Sequence, residues 1–138
     1  MNINFNGESY CELFSELFSD VFAKYDLRIV NRSTNIMELS GNVFSILFTY
    51  DLDTNWIYYF DKKEDKTYLI SDYINSNAED IDRKDIPKEG TISKEIERTL
   101  KIQSRVIFRK FNDLLSGDND WFENYKKSQF FQERKTII

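Results

Sequence analysis

The chain has no histidine, one cysteine, one proline and four glycines among its 138 residues. Without histidine there is no Ser-His-Asp or Cys-His nucleophilic machinery and no histidine-ligated zinc or iron site. The single thiol, Cys11, allows neither an internal disulfide nor a multi-cysteine zinc site, which fits a reducing compartment. Gly7, Gly41, Gly90 and Gly117 lie too far apart to form a phosphate-binding loop or a dinucleotide fingerprint. No apolar run nears the ~20 residues of a membrane-spanning helix. The opening MNINFNGESY lacks the positive and apolar regions of a secretory signal. The expectation is a cytoplasmic protein with no cofactor, no metal and no membrane contact.

Hydrophobic residues make up 41% of the chain and charged residues 31%, the balance of a globular domain, and the length suits a single domain over 1–138. Aromatics reach 16%, with 12 Phe, 8 Tyr and 2 Trp. That load can build a dense core, and any surplus left on the surface marks a contact site. The net charge of −5 argues against a general nucleic-acid binder. Acids concentrate early, at Glu8, Glu12, Glu16, Asp20 and Asp26, whereas 93–138 is mildly basic. This asymmetry suits a partner with a basic patch, although solvated helix faces account for it as well.

The pattern along the chain predicts an α+β fold. Tyr10, Leu13, Phe14, Leu17, Phe18, Val21, Phe22 and Tyr25 recur at helical spacing, so a helix is expected over 9–25, opened by a capping box of Ser9 and Glu12. Over 27–70, runs rich in β-branched and aromatic residues alternate with short polar connections, which predicts an antiparallel meander of about five strands. In 43–50 the side chains of Phe44, Ile46, Phe48 and Tyr50 share the face turned to the helix. In the next strand Trp56, Tyr58 and Phe60 oppose Ile57, Tyr59 and Asp61. Both of its faces are apolar near the start, so the second sheet face is expected to be covered in part. The segment 71–90, which holds Pro87, reads as a turn or short helix near Asp72–Asn75 followed by a charged surface loop. Helices are expected over 93–115, with Gly117 as C-terminal cap, and over 119–127.

Few motifs carry chemistry. Asp51, Asp53 and Asn55 occupy calcium-loop positions 1, 3 and 5, but Trp56 stands where glycine is needed and Lys62 where glutamate is needed. A hairpin with Asx turns explains them better. Carboxylates are plentiful, yet nothing selects a catalytic pair, and Cys11 has no base beside it. No enzymatic activity is expected. Lys94, Arg98, Lys101, Arg105 and Arg109 form a stripe on the long helix that could grip phosphates. Interleaved Glu95 and Glu97 favour a solvated face instead. The strongest candidate contact surface combines tyrosines with acids on the second hairpin: Asp51, Asp53, Tyr58, Tyr59, Asp61, Glu64, Asp65 and Tyr68. Glu79, Asp80 and Asp82 of the charged loop form a secondary contact. Aromatic anchors rimmed by carboxylates suit capture of a basic protein.

In the helix LFSELFSDVFAKYDLRIV, the hairpin IMELSGNVFSILFTYDLD and the strand WIYYFDKK, the chain resembles small bacterial immunity proteins of polymorphic or contact-dependent toxin systems. That resemblance implies a non-enzymatic inhibitor that binds and neutralises a cognate toxin, often a basic nuclease. It transfers no individual site residue. Two other readings stay open: a small-molecule-binding α+β domain with an aromatic pocket between sheet and helices, and a phage- or host-encoded anti-defence inhibitor.

Overall fold

A computed structural model of the chain describes residues 7–51, 54–86 and 92–134. The fold is α+β. It begins with α1 (Gly7–Leu17) and α2 (Val21–Tyr25) and continues through a meander of β1 (Arg28–Ser33), β2 (Ile36–Ser40), β3 (Phe44–Asp51), β4 (Thr54–Asp61) and β5 (Lys66–Leu69). Short helices α3 (Ser71–Ser76) and α4 (Asp80–Arg83) lead to the long α5 (Ile92–Lys110). The chain then forms α6 (Asn112–Ser116), α7 (Asp120–Lys127) and a final short strand, β6 (Glu133–Arg134). The sheet runs in sequence order from β1 to β6, every pairing antiparallel. β6, beside β5, is a sixth strand beyond those expected from the sequence.

Strand alternation decides where the core lies. On one face Met37, Phe48 and Ile57 are cross-strand neighbours, as are Leu39, Ile46, Tyr59 and Tyr68. All seven are buried in one cluster with Tyr10 and Phe14 of α1, Ile96, Leu100 and Ile107 of α5, and Trp121 and Tyr125 of α7. Phe48 sits at its centre, its ring 4.8 Å from Phe14 and 5.2 Å from Phe18. Tyr59 meets Trp121 edge-on at 4.8 Å. Interlocked side chains of this kind fill the space between sheet and helices.

The opposite face carries the row Glu38, Leu47, Tyr58 and Leu69. Leu47 and Leu69 are buried here as well, outside the main cluster. Glu38, only 3% exposed, accepts a hydrogen bond from Arg32 at 2.5 Å and another from the Ser45 hydroxyl. Burial alone would raise its carboxyl pKa. The bonds from Ser45 and Arg32, with the Arg32 charge, outweigh that and hold it below the usual carboxylate range.

The helices depart from expectation in four places. The helix expected over 9–25 is broken at 18–20, where Ser19 and Asp20 are poor helix formers, and α2 points Phe22 outward at 55% exposure. The helix begins at Gly7, so Ser9 lies inside it and does not open a capping box. The helix expected over 93–115 breaks at Phe111, with no proline or glycine behind the break, and α6 then buries Leu114 and Leu115. Gly117 caps α6 with φ 85, the left-handed geometry its lack of a Cβ favours. Finally, beyond the short helix expected near its start, which is α3, the charged loop holds a second one, α4, too short to register as periodicity.

The basic stripe of α5 explains why those short helices stay in place. Arg105 donates to the carbonyls of Asp82 at 3.3 Å and Lys84 at 2.5 Å. Arg109 donates to both Asp82 carboxylate oxygens, at 2.9 and 2.6 Å, to Glu79 at 3.1 Å and to the Asn77 carbonyl at 3.0 Å. The Glu79 N–H adds a further bond to Asp82 at 2.8 Å. The Arg109 hydrogen bonds hold the Asp82 carboxyl below the usual range, against the opposing effect of burial. A depressed folded pKa gives stability that is present above the unfolded value of ~3.9 and lost as pH falls through the folded one. Stability is therefore expected to fall as the solution is acidified below about pH 4. In Asp82→Asn that acid dependence should be shallower, as read by urea midpoints from pH 7 to 3. An identical slope in the variant would assign the acid sensitivity elsewhere.

Candidate protein-binding surface

α1 is amphipathic. Tyr10 and Phe14 face inward with no exposure, while Glu8, Glu12 and Glu16 recur every four residues on the outer side, all exposed. Among the described residues none of the three acids pairs with a cation. Like charges four apart on a helix repel one another, so this row is tolerated rather than favoured by the helix itself. Along α1 lies β1, an edge strand with five of its six residues exposed. Its outer backbone donors and acceptors are available for pairing.

Between them runs a cleft of about 810 Å³, lined by Glu8, Glu12 and Glu16 on one wall and by Ile29, Asn31, Thr34 and Met37 on the other. Cys11 and Ser15 also line it. The Cys11 thiol donates weakly to the Thr34 carbonyl at 3.6 Å, tying the helix to the β1–β2 turn. Burial pushes that thiol pKa up, so it stays protonated and is a poor nucleophile at neutral pH. The cleft therefore offers negative charge, a strip of apolar surface and an open strand edge, and no activated reactive group.

The tyrosine-and-acid surface expected on the second hairpin is not assembled. Tyr59 and Tyr68 lie on the core face, 8% and 6% exposed, and Tyr58 is half-buried on the opposite face. Burial, with the charge of Asp61 and then Tyr68, pushes the Tyr59 phenol up to about 12. The acids are also divided. Asp51 ends β3 beside the β3–β4 connection, whereas Asp61, Glu64 and Asp65 lie at the far end of β4, about 23 Å along the strand. Asp61 is committed to its own turn, accepting the N–H groups of Lys63 at 3.0 Å and Glu64 at 3.2 Å. Asp53 lies outside the described residues. In the secondary contact, Asp82 is buried and Glu79 is bound to Arg109, which leaves Asp80 as its exposed acid without an ion pair among the described residues. The sequence did flag the acids of α1 by their clustering. What it could not supply was the edge strand beside them.

Comparison of the chain with protein-family models, with curated proteins and with solved structures gives no match in any of the three. Its class is set by its own architecture, an α+β domain in which helices cover one face of an antiparallel meander. No helix among the described residues is long and apolar enough to cross a membrane.

Proposed function

We propose that the protein is a non-enzymatic inhibitor that acts by direct binding to a basic protein, in the manner of the bacterial toxin-immunity proteins it resembles. The observation that carries this reading is the acidic cleft between α1 and β1. Three carboxylates without cationic partners among the described residues stand along a concave surface beside an open strand edge. A partner with lysines or arginines relieves the repulsion along α1, and the chain's net charge of −5 steers its approach. The contact surface thus moves from the second hairpin, where the key tyrosines are buried, to α1. Neutralising a nuclease toxin by occlusion needs no chemistry from the inhibitor, which is consistent with an unactivated Cys11.

The test is affinity capture from the source cells with wild type and with Glu8→Lys, Glu12→Lys and Glu16→Lys combined. Recovered proteins are identified by mass spectrometry and the recovered protein's activity is assayed with and without the inhibitor. Wild type is expected to retain a basic protein and suppress its activity. The triple variant, folded by circular dichroism, should bind at least ~10-fold more slowly, as loss of electrostatic steering predicts. An unchanged association rate in the triple variant would remove the α1 cleft as the site. Absence of any suppressed activity would remove the inhibitor class.

A further inference from the structure

A second cleft, independent of the inhibitor reading, lies between the α3–α4 segment and α5. Its volume is about 180 Å³ and it is lined by Asn75, Ala78, Arg83, Arg98, Thr99 and Ile102. In a chain with 24 acids and 19 basic residues, this lining contains two guanidinium groups and no carboxylate.

The four arginines around this junction divide into two kinds. Arg105 and Arg109 are engaged by the carbonyls and carboxylates of 77–84. Arg83 and Arg98 are not. Arg83 is exposed on α4 with no ion pair among the described residues. Arg98 is 16% exposed, reaches Glu95 only at 3.9 Å, and keeps a buried Nε without a hydrogen-bond partner. A buried N–H left unpaired costs free energy, and more so on a charged group.

The other polar groups of the lining are donors too. The Asn75 Oδ1 accepts from Gln103 Nε2 at 3.1 Å, which leaves the amide's Nδ2–H₂ as a donor with no hydrogen bond among the described residues. The Thr99 hydroxyl supplies another donor, and Ala78 and Ile102 supply apolar wall that strengthens charged contacts nearby.

We propose that this cleft binds a compact tetrahedral oxyanion of the phosphate type, held by Arg83 and Arg98 with Asn75 and Thr99. The planar guanidinium fork matches two oxygens of such a group and carries a charge that does not titrate. The size argues in the same direction. Pockets for drug-sized ligands begin near ~300 Å³, so this one suits the anion and not a whole nucleotide.

Calorimetric titration of the intact protein with inorganic phosphate, against chloride at matched ionic strength, tests the proposal. One saturable site is expected for phosphate and none for chloride. Arg98→Gln and Arg83→Gln should each weaken it roughly tenfold or more, the scale of one charged hydrogen bond. Lys63→Gln, in the β4–β5 turn, should leave it unchanged. Arg83 is exposed and makes no side-chain hydrogen bond or ion pair among the described residues, acting on Asp82 only through its charge, so its variant stays informative even if Arg98→Gln perturbs folding. Competition by phenyl phosphate would show that the cleft takes an esterified phosphate; its failure to compete would restrict the site to the free anion. No phosphate-specific heat, or heat that survives Arg83→Gln unchanged, overturns the proposal.

Discussion

Phe48→Ala is expected to lower the stability of the protein by about 3–5 kcal/mol, the range for emptying a fully buried phenyl site. Phe48 has no exposure and its ring touches those of Phe14 and Phe18. Phe18 in turn lies 5.4 Å from Phe108 of α5. Removing one ring therefore loosens the contact of α1 with the sheet and, through Phe18, with α5. The midpoint of thermal unfolding should drop by roughly 10 °C or more for a domain of this size. Phe22→Ala is the matched control. Helical spacing places Phe22 on the same stripe as Phe18, yet it is 55% exposed, so its removal should change stability by no more than about 0.5 kcal/mol. Urea denaturation of both variants checks the pair. Equal losses would mean that the α1–α2 break does not turn Phe22 out of the core.

Gln103→Leu should produce the other large effect, for a different reason. Gln103 is fully buried on the apolar side of α5 and closes a polar network between four elements. Tyr10 Oη of α1 donates to Asn55 Oδ1 of β4 at 2.5 Å, and Asn55 Nδ2 donates to Gln103 Oε1. Gln103 Nε2 donates onward to Asn75 of α3 at 3.1 Å and to the Asn55 carbonyl at 3.4 Å. Leucine keeps most of the volume but leaves the buried Asn55 amide without an acceptor, at a cost of about 1–3 kcal/mol. Removing the whole network should cost less than its parts suggest, because the buried Asn55 amide is then no longer present to be left without its partners. Tyr10→Phe, Asn55→Leu and Gln103→Leu combined should therefore recover stability relative to Gln103→Leu with Asn55 intact. Strict additivity of the single substitutions in a mutant cycle would contradict the network.

These two sites also mark how far the sequence could be read. The stripe of Tyr10, Phe14 and Phe18 and the alternation through Phe44, Ile46 and Phe48 gave the core face directly, because periodicity records which side chains share a side. Gln103 was visible only as an interruption of an apolar face. Its partners are 28 and 48 residues away, and nothing local encodes such a pairing. Tyr59 and Tyr68 were misplaced for a related reason. Alternation separates the two faces of β4, but aromatic residues occupy both, so local sequence does not say which face α7 will cover. The basic stripe of α5 was legible as a stripe, whereas its role in holding Asp82 and Glu79 required the fold. The cleft beside α1 was half legible, since its acids cluster in sequence while β1 joins them only through the order of strands in the sheet.

That strand order also bears on synthesis. Every strand from β1 to β5 pairs with its neighbour in sequence, so this part of the sheet can zip up by short hairpins as it leaves the ribosome. Its core face must then wait for α5, because Ile96, Leu100 and Ile107 lie 27 or more residues beyond the end of β5. Tyr59 and Tyr68 wait longer still, for Trp121, Phe122 and Tyr125 of α7; at the usual ~5–20 residues per second, the interval from Leu69 to Lys127 lasts about 3–12 s. For those seconds the nascent chain presents Ile57, Tyr59 and Tyr68 to whatever is nearby, and chaperone demand should peak there.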